Sequence, residues 1–107
     1  MTGPAVILVT ADSEASAVKI SKHLVENRLA ACASIVPKIR SIYVWEDEVC
    51  DEEEYLLIIK TRGDLFEQVR DAIVDIHNYT VPEIVSLPIV GGLEAYLDWI
   101  NDVTVAS

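Results

Sequence analysis

The run "CASIVPKIRSIYVW" (Cys32–Trp45) has strand composition from end to end, and "EYLLIIKTR" (Glu54–Arg62) returns with the same composition. Extended chain from Cys32 to Trp45 spans about 46 Å at ~3.3 Å per residue. A domain of ~100 residues has a radius of gyration of only ~13 Å, so this hairpin must overhang the body of a 107-residue chain. Between the two runs, "EDEVCDEEE" carries seven carboxylates that repel one another and favour water, which places the hairpin tip there. Pro37 has no amide proton for a ladder and marks an edge position or a bulge.

The rest of the chain supplies what the hairpin packs on. "AVILVT" (Ala5–Thr10) is a short apolar, β-branched run, the pattern of a central strand covered on both faces. Asp12 and Ser13 are placed to cap a helix with Ala17, Ile20 and Leu24 on one stripe, widened by Val18, Val25 and Leu29, and ending near Asn27–Leu29. After Gly63, Asp64-x-x-Glu67 has the form of a capping box opening a second helix, with Leu65, Val69, Ala72, Ile73 and Ile76 inward. A last strand is expected over Glu83–Val90, followed by Gly91-Gly92 and a short helix carrying Leu93, Tyr96, Leu97 and Ile100.

This order, β-α-β-β-α-β plus a terminal helix over residues 1–107, predicts a single α+β domain of ferredoxin-like arrangement with two helices on one face of a four-stranded sheet. The other face is left bare although its strands are apolar on both sides. Aromatic residues on the overhanging hairpin, Tyr43, Trp45 and Tyr55, would aggregate unless neighbouring subunits covered them, so the pattern predicts a homo-oligomer with these three at the interface.

Composition narrows the function. A formal net charge of −10 repels phosphate backbones and anionic membrane surfaces, which argues against nucleic-acid and membrane partners. No stretch approaches the ~20 apolar residues of a membrane span, and no signal peptide is read at the start. Cys32 and Cys50 are too few for a disulfide framework or a four-ligand zinc site, and a cytoplasmic protein with reduced thiols is expected. There is no G-x-S-x-G, Walker loop, G-x-G-x-x-G or H-E-x-x-H, so the common hydrolase, nucleotidase, dehydrogenase and zinc-protease signatures are lacking and no enzyme is expected.

One segment concentrates chemistry: "HNYTVPEIVSLPI" (His77–Ile89), in which His77, Tyr79 and Glu83 gather at the entrance to the last strand and Pro82 and Pro88 confine it to an edge or bulge. His77 suits a metal site, but the blander reading, a histidine capping the end of the second helix, is favoured by spacing alone. His23 reads as a surface residue, Cys32 as a small buried hydrophobe, and Cys50 as an unreactive thiol among carboxylates.

Taken in order, "LAACASIVP", "SIYVWEDEV", "EYLLIIKT", "HNYTVPEIVSLPI" and "YLDWI" resemble the CutA divalent-cation-tolerance family over nearly the whole chain, from about Val6 to Ile100. The resemblance implies a compact homotrimer with interlocking hairpins, similar in architecture to the PII signalling proteins. It also implies tolerance to divalent ions and copper binding, without an enzymatic activity. Carried over by motif, the metal residues it implies are Cys32, His77 and Glu83, a donor set suited to Cu2+ or Zn2+ rather than to calcium or magnesium. The chain departs from the family pattern at Asn78, where proline is usual, and at Thr80, where an acidic or polar residue is usual. Val9 stands where some relatives have cysteine, and Asp47-Glu48 replaces the usual Gly-Lys turn.

Two functions follow as expectations. The first is a trimeric metal-responsive protein that requires no resident cofactor. The alternative is a PII-like sensor taking a small anionic metabolite in a cleft between subunits, with Lys60, Thr61 and Tyr79 as its pocket and Lys60 as the positive anchor.

Overall fold

A computed structural model describes residues 3–104. Strand β1 (Pro4–Ala11) alternates as the sequence dictates: Ala5, Ile7, Val9 and Ala11 are fully buried on one face, and Val6 and Leu8 are half-buried on the other. Helix α1 (Glu14–Glu26) starts at Ser13, whose Oγ accepts from the Ser16 amide at 3.1 Å, and closes at Asn27. The remaining elements are β2 (Cys32–Trp45), β3 (Glu48–Arg62), a 3-10 turn (Gly63–Leu65), α2 (Phe66–Ile76), β4 (Ile84–Pro88) and α3 (Glu94–Val103). Sheet order is β2-β3-β1-β4 with every neighbouring pair antiparallel. This is the expected ferredoxin-like α+β arrangement.

The core lies between α1, α2 and one face of the sheet, where Ile7, Val9, Leu24, Leu57, Ile59 and Ile73 exclude water completely. On this face Tyr55 packs against the core as well. The opposite face carries Val6, Leu8, Leu56, Ile58 and Lys60, all half-buried, with Val85 and Leu87 of β4 about half exposed. Neither α1 nor α2 covers it.

The hairpin overhangs as its length requires: the molecule measures 43 × 26 × 23 Å. Its surface of 6450 Å² exceeds the about 5,900 Å² of a compact monomer of this mass. Pro37 sits in a bulge between Val36 and Ile39, with Lys38 at φ 57°, on edge strand β2 as expected.

Three local expectations are corrected. The acidic stretch is not a loop: β3 begins at Glu48 and only Glu46 and Asp47 form the turn. Pairing sends successive carboxylates to opposite faces and gives two of them partners. Arg40 binds Asp51 through Nε and Nη2 at 2.8 and 2.6 Å, and the Tyr43 hydroxyl donates to Glu52 at 2.5 Å. The Asp64–Glu67 capping box does not form; the 3-10 turn moves the helix start to Phe66, and Asp64 lies 3.3 Å from Arg62 instead. Leu93, expected on the last helix, is instead the exposed N-cap of α3, and within the helix only Ile100 is fully buried while Tyr96 is exposed.

Candidate functional site

β4 pairs with β1 only as far as Val9–Ile84, so the next β1 carbonyl, that of Thr10, needs another donor. His77 supplies it. Its Nε2 lies 2.6 Å from the Thr10 oxygen, and its Nδ1 lies 3.0 Å from the Tyr79 amide nitrogen. A carbonyl can only accept and an amide N–H can only donate, so the ring is the neutral Nε2–H tautomer with both nitrogens engaged. By its backbone His77 does close α2, donating its N–H to Ile73. Its ring, however, caps a strand carbonyl rather than the helix.

Asn78 extends the same loop toward the β1–α1 corner, its Nδ2 lying 3.2 and 3.3 Å from the two carboxylate oxygens of Asp12. Tyr79 stacks obliquely on His77, with ring centroids 4.7 Å apart, and sends its hydroxyl to Glu54 at 2.6 Å. The loop is thereby fastened across the bare sheet face. Between it and the base of the hairpin lies a cleft of about 720 Å³. Glu52 and Glu54 line the hairpin side, Glu83 the loop side, and Tyr43, Trp45 and Tyr79 supply aromatic wall.

The electrostatics of this cleft are one-sided, since no lysine or arginine among the described residues lines it. Glu54 is only 6% exposed and takes part in none of the ion pairs found among the described residues. Both tyrosines hold their protons tightly. Tyr43 is pushed up to about 12, first by its hydrogen bond to Glu52. Tyr79 is raised further, first by burial and then by the Glu54 hydrogen bond, because a phenolate beside a carboxylate is unfavourable.

The sequence-derived metal set does not assemble within one subunit. Cys32 faces Lys60 across the ladder, at the level of Val6 on β1. Thr10, where His77 is anchored, is four residues further along, on the order of 13 Å, and two strands across. No group of three histidine, cysteine, aspartate or glutamate side chains among the described residues is close enough to hold a metal ion. Glu83 lines the cleft, but both His77 nitrogens are already engaged by Thr10 and Tyr79.

The three residues of the expected anionic-ligand pocket do not come together within one chain either. Thr61 is fully buried on the helix side and donates its hydroxyl to the Leu29 carbonyl at 2.6 Å. Lys60 points to the other face, six residues along β3 from Glu54 and roughly 20 Å away. Only Tyr79 of that trio lines the cleft. At the hairpin, Tyr43 and Trp45 are 38% and 45% exposed and available to a neighbour, whereas Tyr55 belongs to its own subunit's core. Glu52 and Glu54, the cleft carboxylates missed by sequence reasoning, carried a readable signal: pairing Trp45 with Glu48 makes them an i, i+2 pair on the face of Tyr43.

Fold and cleft together define a ferredoxin-like α+β domain with an acidic groove beside a long hairpin. The chain belongs to the CutA1 divalent ion tolerance protein family, which matches residues 5–103. It is 48% identical over 99 residues to the divalent-cation tolerance protein CutA of Thermus thermophilus, spanning 92% of this chain and 96% of that one. The solved Thermus thermophilus protein superposes with a TM-score of 0.93 at 47% identity, covering 95% of this chain and 99% of the other. The chloroplastic protein CutA of Arabidopsis thaliana is 42% identical over 92% of this chain, which spans 54% of that relative.

Proposed function

We propose that this chain serves divalent-cation tolerance as a homotrimer of PII-like architecture. It is a binding protein rather than an enzyme and takes a copper- or zinc-type ion where Glu83 and His77 flank the acidic cleft. The observation that carries the reading is the charge of the cleft, three carboxylates with no basic side chain in the lining, in a family whose relatives are named for divalent-cation tolerance.

For His77 to ligate, its ring must surrender one hydrogen bond, and the Tyr79 amide at Nδ1 is the one to give way, because the amide can turn to water at the exposed loop. Cys32 then contributes only from another copy. Neighbouring copies cover the bare sheet face and the exposed Ile42, Val44 and Trp45 of the hairpin, turning the cleft into a pocket between subunits. The unpaired cysteines accord with a reducing compartment such as the cytoplasm.

Titration calorimetry with Zn2+ and Cu2+ tests this. Substituting His77→Ala or Glu83→Gln is expected to weaken binding at least about tenfold, or roughly 1.4 kcal/mol. Equal binding by wild type and both variants would remove the ion from this loop. The anionic-metabolite alternative has no support in the cleft, whose charge has the wrong sign for it.

A further inference from the structure

We propose that Tyr79 is a latch on ion capture: its hydrogen bond to Glu54 must open before the His77 ring can ligate, so that bond sets how strongly an ion must bind imidazole to be taken up. The inference deepens the metal reading and rests on it, adding a residue that decides which ions qualify.

Only one nitrogen of His77 is open to exchange. Nε2 faces the carbonyl of Thr10, a buried residue that the β1–β3 ladder holds opposite Leu56, so this partner cannot turn away. An ion must therefore reach Nδ1, whose lone pair points at the Tyr79 amide nitrogen 3.0 Å away. A zinc–imidazole bond is ~2.0–2.1 Å long, which would set the ion about 1 Å from that nitrogen. Ion and amide cannot share the lone pair, and the Tyr79 backbone must withdraw.

Withdrawal is felt at the far end of the same side chain. The Tyr79 ring leans on His77 with centroids 4.7 Å apart, and its hydroxyl donates to Glu54 at 2.6 Å. Phenol is rigid, and an O–H···O bond weakens beyond ~3 Å, so this contact has little slack. Opening it strips the donor from a carboxylate that is only 6% exposed, at the cost of one charge-assisted hydrogen bond. Copper- and zinc-type ions offset that cost because they bind imidazole strongly. Calcium and magnesium prefer oxygen ligands and gain little from a histidine, so the latch disfavours them.

A tyrosine that merely supports the loop and a tyrosine that latches it differ in the sign of one measurement. Calorimetry with Zn2+ on wild type and Tyr79→Phe supplies it. The phenylalanine keeps the amide and the ring but has no hydroxyl to detach, so it is expected to bind zinc about tenfold more tightly, the contribution of the lost bond. Equal or weaker binding, with zinc still lost in His77→Ala, would overturn the latch and leave the metal reading standing. Zinc bound equally well, or not at all, by wild type and His77→Ala would overturn both. In the double variant His77→Ala, Tyr79→Phe the gain should vanish. A gain that persists there belongs to the freed Glu54 carboxylate and would also sink the latch. In a near-ultraviolet difference spectrum, zinc should perturb a tyrosine of the wild type and none in Tyr79→Phe. A wild-type tyrosine spectrum that bound zinc leaves unchanged would contradict the latch even if Tyr79→Phe failed to fold.

Discussion

Tyr79 does the most at the scale of single residues. Its amide holds the His77 ring, its own ring stacks there, and its hydroxyl satisfies the buried Glu54. Removing the hydroxyl by Tyr79→Phe leaves that carboxylate without its donor and should cost about 1–2 kcal/mol in denaturant unfolding. The raised Tyr79 pKa fixes the sign of the alkaline behaviour. The folded state binds the phenolic proton more tightly than the unfolded state, so the stabilisation is complete below the ordinary tyrosine range near ~10 and is lost as pH rises through the folded value. In an ultraviolet titration, the difference between wild type and Tyr79→Phe should therefore show no phenolate at the pH where an ordinary tyrosine ionises. His77 was legible in the sequence as a residue with a task, but not the task, because its acceptor is a carbonyl 67 positions away that is open only where β4 stops pairing.

Periodicity made most of the elements readable: the buried stripe Ala17, Ile20 and Leu24, the inward Val69 and Ile73, and the bulge at Pro37 all follow from local rules. The hairpin turn was not readable from charge. Like-charge repulsion suggested a broad acidic loop, yet each strand pair formed adds ladder hydrogen bonds, and alternation removes half of the crowding by sending neighbours to opposite faces. Closing the ladder completely leaves Glu46 and Asp47 at φ 50° and 65°, the left-handed region where a side chain crowds the following carbonyl. Asp47→Gly should consequently stabilise the protein by about 0.5–1 kcal/mol, measured as a raised denaturant midpoint with an unchanged m-value. Glu54 was hidden for a related reason: nothing local to a strand glutamate tells that a loop residue 25 positions on will pack over it.

For the whole molecule, half-buried Leu56 and Ile58, about half-exposed Leu87, and the more exposed Val44 and Val49 lie along a sheet face and hairpin that α1 and α2 leave open. In the proposed trimer other copies cover them, and assembly and the cleft then stand together, since Tyr43 and Trp45 serve both. Trp45→Asp would place an unpaired charge in the interface and should break the assembly or cause aggregation. No helix among the described residues is long and apolar enough to cross a membrane. Native mass spectrometry of the metal-stripped protein, after incubation with one equivalent of Zn2+ per chain, tests assembly and ion binding in one spectrum. The account predicts a particle of three 11.8 kDa chains that retains zinc. A folded monomer, or a trimer that releases all of its zinc on buffer exchange, would contradict it.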